Sequence, residues 1–114
     1  MLANGVSELI QESIKLELEN IKKKYGENYN SAHEGYAVLL EEVEEVEECL
    51  RYIRTDIKIL WERVKNNFKD LENIDKLEEL LMVVVNAKQL AEEAVQVAAV
   101  AEKFVQTMEG MKDD

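Results

Sequence analysis

The sequence predicts an all-α protein, an antiparallel bundle of two long helices and one shorter N-terminal helix, completed by oligomerisation. Three observations lead there. The 114 residues include no proline and only four glycines, so little interrupts a helix. Apolar residues return every three or four positions along most of the chain, the period of one helix face. An apolar fraction of 46% is that of a globular chain rather than a disordered one. At this length one domain over residues 1–114 is expected.

The first helix is expected from about Ser7 to Lys24. Ile10, Ile14, Leu18, Ile21 and Tyr25 form its stripe, Ser7 serves as N-cap, and Gly26 takes the left-handed position beyond its end. Ser31-Ala32-His33-Glu34 then reads as a capping box, in which hydroxyl and carboxylate each satisfy a backbone N–H. The apolar phase runs from Tyr36, Leu39, Leu40, Val43 and Val46 through Leu50, Ile53, Ile57, Leu60 and Val64. One helix to about Asn66 would extend roughly 50 Å. A break near Thr55-Asp56 stays open, although no glycine or proline demands one. NNFKDLENID is the second connection, and a last helix spans about Ile74 to Met108, ending before Gly110. Val83, Val84 and Val85 in succession, and Ile57 with Ile59, cannot all face one partner, which favours a homo-oligomer such as a dimer or tetramer.

The net charge of −11 argues against a nucleic-acid surface and suits a chain that holds cations. Cys49, the single cysteine, excludes an internal disulfide and reads as a packed thiol. MLANGVSELIQES lacks the basic n-region and apolar run of a signal peptide, and no stretch approaches the roughly 20 apolar residues of a membrane span. A cytoplasmic protein is the expectation.

Residues 41–48 hold six glutamates in eight positions. On a helical wheel Leu39, Val43, Val46 and Leu50 group together. Glu41, Glu45 and Glu48 lie opposite them, Glu44 and Glu47 flank, and Glu42 falls on the border. The bland explanation is one wet helix face. Yet Glu41/Glu45 and Glu44/Glu48 are like-charge pairs at i, i+4, each costing about 0.2–0.5 kcal/mol. Glu42 and Glu45 are surface neighbours that can offer hard oxygens to Mg2+ or Mn2+.

AVQVAAVA, residues 94–101, is apolar all round except at Gln96, which predicts burial on every side. Glu93 and Gln96 would then form a polar ridge among packed surroundings. A buried carboxylate is protonated, paired or bound to metal. Glu93 either pairs with Lys103 or Arg51, or faces Glu42 and Glu45 so that the three share divalent ions.

SAHEGYAVLLEEVEEVEE followed by EEAVQVAAVAEKF resembles the MazG-like all-α nucleotide pyrophosphohydrolases, in particular the short phage and prophage-type members. Their EExxE motif is matched by Glu41-Glu42-Val43-Glu44-Glu45. Their ExxD motif is matched by Glu93-Ala94-Val95-Gln96, with Gln96 standing where the family has aspartate. The match covers about residues 31–49 and 86–105, with a weaker one over Leu60–Val64.

The resemblance implies hydrolysis of a nucleoside triphosphate to the monophosphate and pyrophosphate. Glu42, Glu45 and Glu93 would hold Mg2+, Gln96 would complete the cation's shell or bond to a metal-bound water, and Glu41 would orient or deprotonate the attacking water. Lys103 and Lys88 are the candidate phosphate contacts. Trp61 could stack on a base, though a lone Trp among Leu60 and Val64 is more often a core or interface residue. His33 is expected to act in the loop or cap. The alternative is a non-catalytic helical oligomer serving as an interaction or nucleotide-binding module.

Overall fold

The computed structural model describes residues 1–67 and 77–112. Among the described residues there are three helices and no strand: α1 (Val6–Tyr25), α2 (Ala32–Lys65) and α3 (Glu78–Lys112). The all-α expectation holds, with α2 and α3 closely packed.

α1 begins ahead of Ser7, which is not its cap. Gly5 occupies the N-cap with φ 88° and no side-chain hydrogen bond caps the helix. A glycine takes that conformation without steric cost, so the chain turns into the helix before Ser7. At the other end, the Gly26 N–H donates to the Lys22 carbonyl at 2.8 Å. Gly26 has the expected positive φ, 96°, but its ψ of 167° is extended rather than left-handed helical. Along the predicted stripe Leu18 is buried and Ile14 and Ile21 are half-buried, while Ile10 and Tyr25 are exposed.

The cap of α2 is half as predicted. The Glu34 N–H donates to Ser31 Oγ at 3.1 Å. The Glu34 carboxylate returns one residue further back than expected, accepting from the Asn30 N–H at 3.1 Å and from Asn30 Nδ2 at 3.0 Å. From Ala32, α2 runs 34 residues without a break. At Thr55 the hydroxyl donates back to the Arg51 carbonyl at 3.1 Å, and the helix continues.

The face that α2 buries differs from the simple wheel. Gly35, Glu42, Cys49, Asp56 and Arg63 recur every seven residues and are all buried or half-buried. Val38, Glu45 and Val46, Ile53 and Leu60 fill the positions between them. Glu45 is therefore turned inward, not to the outer side, whereas Leu40, Leu50 and Ile57 are exposed. The buried row of Gly35, Glu42 and Cys49 lies about a quarter-turn round the helix from Leu39, Val43, Val46 and Leu50, so the face turned to the neighbours is not the most apolar one. α3 answers with its own seven-residue row of Glu79, Asn86, Glu93, Val100 and Thr107.

Contacts group the chain into two units, Met1–Glu44 with Glu93–Asp114, and Glu45–Glu92. In the first, Gly35 of α2 lies against Phe104 of α3, and Glu42 lies against Gln96, so the helices run antiparallel. In the second, Asn86 Nδ2 donates to Asp56 Oδ2 at 2.6 Å. Arg63 pairs there with Glu79 at 3.7 Å, again antiparallel.

α3 passes through Gly110 to Lys112 instead of ending before the glycine. One helical glycine costs about 1 kcal/mol against alanine, too little to stop the helix. The predicted start at Ile74 lies outside the described residues, as does most of the NNFKDLENID connection. AVQVAAVA is not buried on every side: Ala99 and Val100 are buried, Ala94 is exposed, and the rest are half-buried. Two neighbouring helices cover only part of its circumference. Among the described residues no helix is long and apolar enough to cross a membrane.

Candidate functional site

The site is built in the first unit, from the loop that follows α1. Tyr29 is buried, with its N–H donating to Thr107 Oγ1 at 3.1 Å. The Thr107 hydroxyl donates in turn to the Lys103 carbonyl at 2.9 Å. The Tyr29 ring meets the Phe104 ring edge-on, with centroids 6.2 Å apart. Phe104 occupies the space beside Gly35, where a Cβ would stand 2.9 Å from the ring. Gly35 thus brings α2 close to α3, and Phe104 and Thr107 hold Tyr29 in place.

Above this packing stand the polar residues. Glu42 and Glu93, one from α2 and one from α3, are both half-buried. Gln96 lies against both. With its amide nitrogen toward the carboxylates, it donates to Glu42 Oε2 at 3.0 Å and to Glu93 Oε2 at 3.1 Å. Glu45 follows Glu42 by one turn on the same unbroken helix. Glu42 and Glu93 thus meet across the two helices at the Gln96 amide. Of the six glutamates in the acidic run, Glu42 and Glu45 are the two turned inward; Glu41, Glu44, Glu47 and Glu48 are exposed.

The carboxylates suit a hard divalent cation, which takes oxygen ligands and water. Two half-buried carboxylates on one amide repel one another. The Gln96 amide offsets part of that repulsion by hydrogen bonding, and a divalent ion would offset more.

Two cavities border Glu42. The larger, about 430 Å3, has apolar walls from Ile21, Val38 and Val100 and aromatic ones from Tyr25 and Tyr29. Glu34, Glu41, Glu42 and Lys103 supply its charges. The smaller, about 290 Å3, is reached past Glu17, Asn20 and Lys24 of α1 and touches Gln96.

Lys103 is only 2% exposed, with Nζ 4.2 Å from the centre of the Tyr29 ring. Desolvation lowers its pKa below the usual 10.5, against the opposing pull of Glu34 and Glu27. Burial, followed by the Glu34 and Glu42 carboxylates, raises the Tyr29 pKa above its ordinary 10.0.

Of the residues singled out in the sequence, Glu41, Glu42, Glu93, Gln96 and Lys103 are thus grouped in the first unit. Glu45 opens the second unit, one turn beyond Glu42. Trp61 and Lys88 belong to the second unit and are exposed, with Lys65 Nζ 5.7 Å from the Trp61 ring centre. Arg51 is exposed, and His33 sits exposed in the first turn of α2. Cys49 is buried, as expected of a packed thiol.

Tyr29, Thr107, Gly35 and Asn86 escaped the sequence reading. The seven-residue row on α3 would have flagged Asn86 and Thr107 as inward-facing polar residues. No comparable signal marks Tyr29, which sits in a loop.

Comparison of the chain with protein-family models, with curated proteins and with solved structures finds no match in any of the three.

Proposed function

We propose that the protein is a metal-dependent nucleoside triphosphate pyrophosphohydrolase of MazG-like type. The observation that carries this reading is the meeting of two half-buried carboxylates, Glu42 of α2 and Glu93 of α3, at Gln96, with Glu45 one turn on from Glu42 along the same helix. These residues would hold Mg2+ or Mn2+, and the cation would neutralise the triphosphate and stabilise the charge of an in-line displacement. Glu41, exposed on the wall of the larger cavity, accepts a proton from the attacking water. Gln96 holds Glu42 and Glu93 in register through its amide. The proposed assembly is a cytoplasmic homo-oligomer, dimer or tetramer, that completes a helical bundle. It is supported by exposed Leu81, Val84 and Val85 on α3 and by exposed Ile57 and Trp61 on α2.

A second reading is a non-catalytic helical oligomer that binds nucleotide or another partner. It is favoured by Gln96, whose amide satisfies two carboxylates without any ion. The test is magnesium-dependent release of pyrophosphate from a panel of triphosphates by wild type and Glu42→Ala. Release that needs both the metal and Glu42 supports the enzyme; no release from any substrate leaves the binding module.

A further inference from the structure

The larger cavity has a mixed character that the triphosphate does not explain. Of its charged residues, Glu41 and Glu42 serve the proposed water and cation, while Glu34 and Lys103 have no part in that chemistry. The rest of the lining, Ile21, Val38, Val100 and the tyrosines, offers apolar and aromatic surface of the kind a neutral planar group takes. The volume of about 430 Å3 lies within the usual range for small-molecule sites.

Lys103 is the unusual member. A lysine that is 2% exposed has given up most of its hydration, and the face of the Tyr29 ring replaces only part of it. An ammonium has three N–H donors and no acceptor. The ring face can take one of them, which leaves donors for an acceptor atom in the cavity. Glu34, which also lines the cavity, is an acceptor-only group whose oxygens already take two hydrogen bonds from Asn30 and keep further lone pairs.

We infer that this cavity binds the base of the nucleotide and selects a keto base, uracil, thymine or guanine, with Lys103 donating to the ring carbonyl and Glu34 accepting from the adjacent ring N–H. Cytosine and adenine present an amino group where the keto bases present a carbonyl, so they set a donor against the Lys103 donors. This assignment rests on the nucleotide reading above and adds the class of substrate to it.

The test is titration of the protein with uridine and cytidine monophosphates, and with guanosine and adenosine monophosphates, in wild type and Lys103→Met. Methionine keeps the length and removes the donor, and circular dichroism checks that the helices persist. Wild type is expected to bind each keto nucleotide about ten- to hundredfold more tightly than its amino counterpart, the worth of one hydrogen bond to a charged group. Lys103→Met is expected to bring the ratio near one. Equal binding of both classes, a preference that survives Lys103→Met, or no binding of any of the four would overturn the assignment. The pyrophosphate assay judges the enzyme reading separately, since a chain that binds keto nucleotides yet releases nothing keeps this cavity and loses the catalysis.

Discussion

A Cβ placed on Gly35 would come within 2.9 Å of the Phe104 ring. α2 and α3 therefore approach one another at this turn as only a glycine permits.

Gly35→Ala sets two effects against each other. Alanine gains about 1 kcal/mol in helix propensity. The displaced ring costs about 1–3 kcal/mol, because Phe104 is held edge-on by the buried Tyr29 and cannot simply swing away. The expected outcome is a net loss of about 1 kcal/mol, read as a lower melting temperature by circular dichroism. A rise in melting temperature would show that the ring has room to move.

Gln96→Asp replaces the amide that bridges Glu42 and Glu93 with another negative charge. In EDTA at neutral pH the variant should lose about 1–2 kcal/mol, the worth of charge-assisted bonds discounted for half-exposure. Millimolar Mn2+ should restore it and raise its melting temperature more than it raises that of wild type. Equal stability in EDTA would mean that the amide does not hold the two carboxylates together.

Lys103→Met should stabilise the fold at neutral pH, and the gain should fade in alkali. In the folded protein Lys103 gives up its proton below the usual 10.5. Between that lowered value and 10.5 the unfolded chain binds more protons, so wild-type stability recovers as pH rises and the variant's advantage shrinks. Tyr29 works in the opposite direction. Its raised pKa gives stability that is present below 10.0 and lost above it, and because Lys103 touches the Tyr29 ring the comparison is made in a Tyr29→Phe background as well. Denaturant melts of both proteins at pH 7 and near pH 10.5 give the comparison. An advantage that does not change with pH would remove the charge of Lys103 as its source.

The helices and the acidic cluster were legible in the sequence for different reasons. α2 was legible because its apolar phase continues from Tyr36 to Val64 with no glycine or proline after Gly35. Glu42 and Glu93 were legible through chemistry, since carboxylates beside apolar runs demand a partner. Glu45 was misplaced because the wheel was centred on the apolar residues, while the face that α2 buries is centred about a quarter-turn away, on Gly35, Glu42 and Cys49. Ser7 lost its cap role to Gly5, whose backbone freedom leaves no mark in hydrophobic periodicity. Tyr29, and the burial of Lys103, were the hardest to see. Both depend on a loop folding over α3, which neither local propensity nor repeat spacing encodes.

The seven-residue row on α2 also fixes alignment. In the second unit Asp56 faces Asn86 and Arg63 faces Glu79, an acid against an amide and a base against an acid. Sliding α3 by one heptad in one direction would set Asp56 opposite Glu79, two carboxylates nose to nose. Sliding it in the other would give Arg63 an amide in place of its counter-ion. Greasy residues tolerate such slippage, but this pattern of unlike teeth meshes in a single position, and the chain spends some of its stability to be unambiguous about where its two long rods stop.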